Sequence, residues 1–154
     1  MAIDWNCKTF DELNVHELYA ILRLRSEVFV VEQNCVFQDM DNKDQVSYHI
    51  CGMQDGELVA YTRLVPAGVS YDEASIGRVI TAASVRGSGA GKELMTYSIR
   101  QLYNIWGKQP IRLGAQLYLK KFYESFGFLQ TSEVYIEDGI PHIEMMFPNL
   151  DDKS

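Results

Sequence analysis

The sequence predicts an α/β (α+β) fold: a mixed, mostly antiparallel central sheet of about seven strands flanked by helices. Three observations carry that expectation. Strand-like and helix-like segments follow one another along the whole chain. Two Asp-Gly pairs, Asp55-Gly56 and Asp138-Gly139, each sit between strand-like runs and read as hairpin turns. A glycine-rich turn joins an apolar run to a long segment with helical periodicity.

Taken in order, Ile3, Trp5 and Cys7 alternate with Asp4, Asn6 and Lys8, a strand with one buried face. Asn14 stands three residues before Glu17 and opens a helix as a capping box. Leu18, Ile21, Leu22, Arg25, Val28 and Phe29 follow at helical spacing. Residues 33–45 are polar and read as a loop with a short helical turn. Strands are expected over 47–54 and 57–65, a loop over 66–71 and a strand over 75–81. A helix then runs to Trp106, with Gly107 as its C-cap. Residues 111–115 form a short strand and 117–126 a helix stopped by Gly127. The last hairpin pairs 128–137 with 140–147. One domain is expected over 1–148, with 149–154 as a flexible tail.

The chain has 154 residues, 47% hydrophobic and 23% charged, which is globular composition. No apolar run is long enough for a membrane span, and the N-terminus lacks the basic-then-apolar pattern of a signal peptide. A soluble, cytoplasmic protein is expected. Cys7, Cys35 and Cys51 lack CxxC spacing and read as reduced thiols, with no metal site. A net charge of −7 without a Lys/Arg cluster argues against nucleic acid and anionic membranes, and it suits a cationic, amine-bearing partner.

The stretch Arg86-Gly87-Ser88-Gly89-Ala90-Gly91-Lys92 is the most informative. Glycines allow close approach of backbone N–H groups, and a helix N-terminus favours an anion. A P-loop needs glycine at position 86 and Ser or Thr after Lys92, and this chain has Arg86 and Glu93. The dinucleotide pattern G-x-G-x-x-G fails too, because the spacing here is G-x-G-x-G.

The loop resembles the pyrophosphate loop of the GCN5-related N-acetyltransferases (GNAT), which hold acetyl-CoA. Val79-Ile80-Thr81 just before it, and Tyr123 with Gly127-Phe128 after it, match that family's further motifs in the same order. The segments Val28-Phe29-Val30-Val31-Glu32-Gln33, Leu113-Gly114-Ala115-Gln116 and 133–142 resemble the ElaA-like branch of the family, over nearly the whole chain. The resemblance implies the GNAT fold and an acetyl-CoA-dependent N-acetyltransferase acting on a primary amine of a small molecule or peptide, with no metal. The alternative it leaves is a non-catalytic acyl-CoA-binding or sensing domain. Residues 25–32 also resemble acyl-homoserine-lactone synthases. A homodimer is admitted.

By the same resemblance, Val79, Ile80 and Thr81 line the pantetheine arm, and an N–H of Val79 or Ile80 polarises the thioester carbonyl. Residues Arg86, Gly87, Ser88, Gly89, Ala90, Gly91 and Lys92 cradle the pyrophosphate. Gln116 stands where the family usually has an Asn that bonds the cofactor arm. Tyr123 matches the general acid. The base is left open among Glu27, Glu32, His49, His142 and Glu144, with Glu27 and Glu32 the leading carboxylates on the acceptor side. Arg25 and Arg78 interrupt apolar patterns. Burial would require each to meet a carboxylate, so structural pairing is expected, with an acidic substrate group as the other reading.

Overall fold

A computed structural model describes residues 2–148. The expected tail over 149–154 lies outside the described residues. Strand β1 (Asp4–Thr9) is followed by helix α1 (Val15–Arg25), which runs into a π-helical segment (Ser26–Glu32). Strands β2 (Tyr48–Gln54), β3 (Glu57–Val65) and β4 (Ala74–Thr81) come next, then helix α2 (Ala90–Trp106) and strand β5 (Ile111–Gln116). Helix α3 (Lys120–Glu124), β6 (Leu129–Gln130), β7 (Tyr135–Glu137) and β8 (Ile140–Phe147) complete the chain.

The local signals act as their chemistry requires. The Asn14 side chain accepts from the Glu17 N–H at 2.8 Å, and the Glu17 carboxylate accepts from the Asn14 N–H at 2.9 Å, which closes the capping box. Both Asp-Gly turns take positive φ at both central residues, 53° and 80° at Asp55-Gly56 and 51° and 78° at Asp138-Gly139, as a type I′ hairpin demands. Gly107, at φ 87°, ends α2.

The sheet has eight strands, in the order β1-β2-β3-β4-β5-β8-β6, with β7 also on β8. The extra strand arises because the run expected over 128–137 is broken. Between the pairs Gln130↔Met145 and Tyr135↔His142, five steps along one strand meet three along the other. The Ser132 hydroxyl accepts the Glu144 N–H at 2.9 Å in place of a backbone carbonyl. The surplus residues bulge out there.

Every pairing but one is antiparallel, and the exception opens the molecule. β4 and β5 run parallel and pair only at Ala74↔Ile111 and Ser75↔Arg112. Beyond that point the two strands diverge. The main core, including Leu64, Ile76, Leu94, Leu102, Ile111 and Phe128, packs α2 and α3 against the sheet and leaves the divergence uncovered. A second, smaller cluster of Ile21, Leu24, Val28, Tyr61 and Ile80 fixes α1 and the π-helical segment to the opposite face.

Candidate functional site

The gap between β4 and β5 widens into a cleft of about 540 Å³. Its β4 wall is shaped by a bulge. Tyr61 pairs with Ile80 and Arg63 with Gly77, so β4 carries one residue more than β3 over this interval. Arg78 absorbs it at φ 50°, an uncommon conformation for a side-chain-bearing residue. The bulge re-aims the backbone of Gly77, Arg78 and Val79, all of which line the cleft. On the edge facing β5, no strand among the described residues pairs with β4 after Ser75.

At the end of β4 the chain makes a 3₁₀ turn (Ala83–Val85) and enters the glycine loop. Gly87 and Gly89 sit at φ 83° and 90°, which only glycine adopts at little cost. Gly89 is the N-cap of α2, and no side chain caps that end. The Glu93 N–H already bonds the Gly89 carbonyl at 3.1 Å. The N–H groups of Ala90, Gly91 and Lys92 precede it in the first turn and have no carbonyl within the helix to meet. Gly91 lines the cleft, and a Cβ there would meet the Phe122 ring at 3.5 Å. The Ser88 hydroxyl is spent on the Val85 carbonyl. Arg86 reaches back along the rim, donating to the Thr81 carbonyl at 3.1 Å and pairing with Glu32 at 2.8 Å.

Tyr123 lines the β5 side of the cleft and is only 4% exposed. Burial pushes its phenol well above the ordinary tyrosine range, so it holds its proton at neutral pH. Gln116, at the end of β5, forms a reciprocal amide pair with Gln33 at 3.1 and 3.2 Å, across the cleft from the end of the π-helical segment.

The structure therefore brings Val79, Ile80, Thr81, Arg86, Gly91, Gln116, Tyr123 and Glu32 to one cleft, with 87–90 and Lys92 forming the loop beside it. It does not bring Glu27. That residue shares a helical row with Arg23 and Val31 and lines a separate depression on the outer face with Tyr19 and Leu22. Glu32 shares the row of Val28 and faces inward.

Arg25 and Arg78 prove to be paired to carboxylates. Arg25, fully buried, donates to Asp39 at 2.7 Å and to Asp44 at 2.8 Å. Arg78 donates to Asp39 at 2.7 Å. Arg63 joins them, meeting Asp41 at 2.7 Å and Asp44 at 2.9 Å. Burial opposes the charge on Asp41, but Arg63 and then Arg78 outweigh it and hold its carboxyl far below the usual range. His49 lies beneath. One ring nitrogen is 2.9 Å from the Asp44 carbonyl and the other 2.6 Å from the Tyr61 hydroxyl. The Asp44 carbonyl can only accept, so the His49 Nε2 carries the proton. Burial lowers the pKa of His49, and both of its nitrogens are committed.

Other cleft residues were not picked out as site residues by the sequence, except His142, one of the candidate bases. Cys35 and Phe37 come from the 33–45 loop, Gly114 from β5, and Glu137, Asp138 and His142 from the last hairpin. The Cys35 thiol donates to the Asp138 carbonyl at 3.2 Å and joins the loop to that hairpin. The hairpin itself was legible, but its position over the cleft depends on the order β5-β8, which no local pattern specifies. Among the described residues, no group of three or more His, Cys, Asp or Glu is placed to hold a metal ion. None of the described helices is long and apolar enough to cross a membrane.

A family model described as "Acetyltransferase (GNAT) domain" matches residues 12–147. The chain belongs to the GNAT family. Within it, Protein ElaA of Escherichia coli is 46% identical over 145 residues, covering 93% of this chain and 95% of ElaA. The crystal structure of that protein superposes with a TM-score of 0.88 over 94% of this chain and 98% of ElaA. An acyl-CoA N-acyltransferase from Pseudomonas aeruginosa is 41% identical, with a TM-score of 0.90 over 94% of this chain and 99% of that one. The chain is thus an ElaA-like member of the GNAT family. The lactone synthase LasI has a TM-score of 0.79 over 95% of this chain and 89% of its own, at 13% identity. That likeness shows a shared fold alone.

Proposed function

We propose that this GNAT protein is an acetyl-CoA-dependent N-acetyltransferase that passes the acetyl group to a primary amine of a small molecule or peptide, by direct attack in a ternary complex. The observation that carries the reading is the divergence of β4 and β5 after Ser75 and Arg112, which leaves an unpaired strand edge leading to a glycine-built, uncapped helix N-terminus. An extended acyl-pantetheine arm ending in a pyrophosphate needs such a pair of features. Bound acyl-CoA supplies an acyl carbon activated as a thioester.

The roles of the residues follow. The N–H groups of Gly87, Gly89, Gly91 and Lys92 meet the pyrophosphate, with Arg86 and the ammonium of Lys92 beside them, while the Ser88 N–H is held by the Val85 carbonyl at 3.3 Å. A backbone N–H of Val79 or Ile80 donates to the thioester oxygen as negative charge develops there. Val79, Ile80 and Thr81 flank the arm. Gln116 faces it and must exchange its bond to Gln33 for one to the arm, or hold the pair as a wall. Tyr123, kept neutral by burial, gives its proton to the departing sulfur. The acceptor side carries Glu32, Glu137 and Asp138 and suits a cationic amine rather than a nucleic acid or a lipid. We place the enzyme in the cytoplasm.

The test is thiol release from acetyl-CoA against a panel of amines, diamines, amino acids and peptides, with Tyr123→Phe alongside. The expected result is a turnover loss of about 10²–10⁴-fold with little change in cofactor affinity, because the proton is needed only as the thiolate leaves. Wild-type turnover in Tyr123→Phe would return Tyr123 to core packing. Tight binding of acetyl-CoA with no turnover of any amine would favour the sensing domain.

A further inference from the structure

We propose that His142 is the catalytic base: its Nε2 takes a proton from a cationic primary amine drawn into the cleft by Glu137 and Asp138. The inference rests on the transferase reading and supplies the one group that reading lacks.

The geometry begins with the register. His142 on β8 stands directly opposite Gln116 on β5, so the two side chains share a face, at the end of the diverging gap. The imidazole lines the cleft and is 9% exposed. Its Nδ1 lies 2.7 Å from the Ile140 carbonyl, which can only accept, so Nδ1 carries the proton. Nε2 is left with a lone pair. The Tyr135 ring stacks on the imidazole at 5.9 Å and fixes its plane, and the Glu137 carboxylate stands 3.9 Å from Nε2. An imidazolium formed there has a counter-charge in place.

The other candidates are spent or misplaced. Glu32 is held by Arg86 and Glu144 by Arg112 at 3.2 Å. Glu27 faces away, and His49 is enclosed with both nitrogens in use. The Tyr71 and Tyr135 hydroxyls both reach Gly114, where an added Cβ would meet each at 3.1 Å. Burial, first, keeps both phenols protonated, with Tyr71 pushed up to about 12. The Cys35 thiol is engaged with the Asp138 carbonyl. Among the described residues, Glu137 and Asp138 are therefore the carboxylates of the cleft beside His142 that no arginine pairs.

The step balances. The ammonium loses one proton to His142 Nε2 and thence to solvent. The freed nitrogen lone pair forms the N–C bond at the thioester carbon, and the C–S bond breaks with its electron pair going to sulfur. Tyr123 protonates that sulfur and is reprotonated by the second proton leaving the nitrogen. The products are amide, free thiol and one proton.

The deciding variant is His142→Asn. Its amide can keep the bond to the Ile140 carbonyl but has nothing at the Nε2 position. Expected is a fall in kcat/KM for the amine of roughly 10²–10³-fold, with loss of the enzyme's acid limb in the pH profile and acetyl-CoA affinity unchanged by calorimetry. An unchanged acid limb with a near-wild-type rate would overturn the base and leave the transferase reading standing. Glu137→Gln removes the carboxylate 3.9 Å from Nε2 and should raise KM for the cationic amine, an effect that shrinks with added salt. An unchanged KM there counts against the proposal. A readout independent of turnover is the nitrogen NMR spectrum of ligand-free protein, which should show His142 as the Nδ1–H tautomer, with Nε2 responding to added 1,4-diaminobutane. An Nε2–H tautomer would sink the assignment. A wild-type protein that turns over no amine in the panel removes the transferase reading and the base with it.

Discussion

Two regions border the same cleft and are built in opposite ways. The glycine loop and the bulged β4 present backbone, held by positive φ at Arg78, Gly87 and Gly89. The 33–45 loop is held from below by three arginines and three aspartates, with backbone playing the lesser part. Backbone sites depend on conformations that few residues adopt, so they tolerate little substitution at a few positions. The ion-pair cluster depends on complete pairing, so it tolerates little loss of any member. On the proposed reading the second region positions and the first binds. Arg78 belongs to both, since its backbone forms the bulge and its guanidinium grips Asp39 at 2.7 Å.

The largest expected effect breaks the cluster. Arg25→Met leaves three clustered aspartates with two arginines, Arg78 on Asp39 and Arg63 on Asp44, and the one uncompensated buried charge should cost about 3–5 kcal/mol of stability, measured by urea denaturation. A loss below about 1 kcal/mol would mean that Arg63 and Arg78 alone satisfy the three aspartates. Next comes the loop. Gly89→Val forces a β-branched residue to φ 90° at the uncapped helix end. Acetyl-CoA affinity by calorimetry should fall about tenfold or more, roughly 1.4 kcal/mol, with the fold retained. Unchanged affinity would remove the loop from the binding site.

The smallest effect concerns pH. Burial, first, keeps His49 below its ordinary pKa and neutral in the folded chain. The unfolded chain binds a proton on it near pH 6.5 that the folded chain does not. The stability held above that pH should therefore decline as pH falls through the window below it. His49→Gln, whose amide can still donate to the Asp44 carbonyl, should flatten the slope. A slope identical in both proteins would assign the proton uptake elsewhere.

The same contrast explains what the sequence revealed. Glycines at 87, 89 and 91, the capping box at Asn14 and the two Asp-Gly turns are local devices, and each is visible in its own few residues. Arg25 and Arg78 were visible as misfits, and their need for carboxylates followed from burial. That the partners are Asp39, Asp41 and Asp44 did not follow, because the loop folds back over strands distant in sequence. Glu27 and Glu32 both stand near the end of the first helix, yet Glu27 lines the outer depression and Glu32 the cleft. His142 was one of several candidate bases. Only its register opposite Gln116 and its bond to the Ile140 carbonyl distinguish it.

The short pairing of β4 with β5 also makes the cleft a lever. Two residue pairs set the pivot, and the arm from Ser75 to Thr81 extends roughly 20 Å. A rotation of about 3° at the pivot then carries the tip through about 1 Å, a displacement large enough to cost roughly 10²-fold in rate when reacting atoms are misplaced. Ala74 and Ile111 at the pivot are fully buried and touch none of the chemistry. Their packing sets the gauge of the opening, so a methylene gained or lost there is read out, amplified, at the far end of the arm.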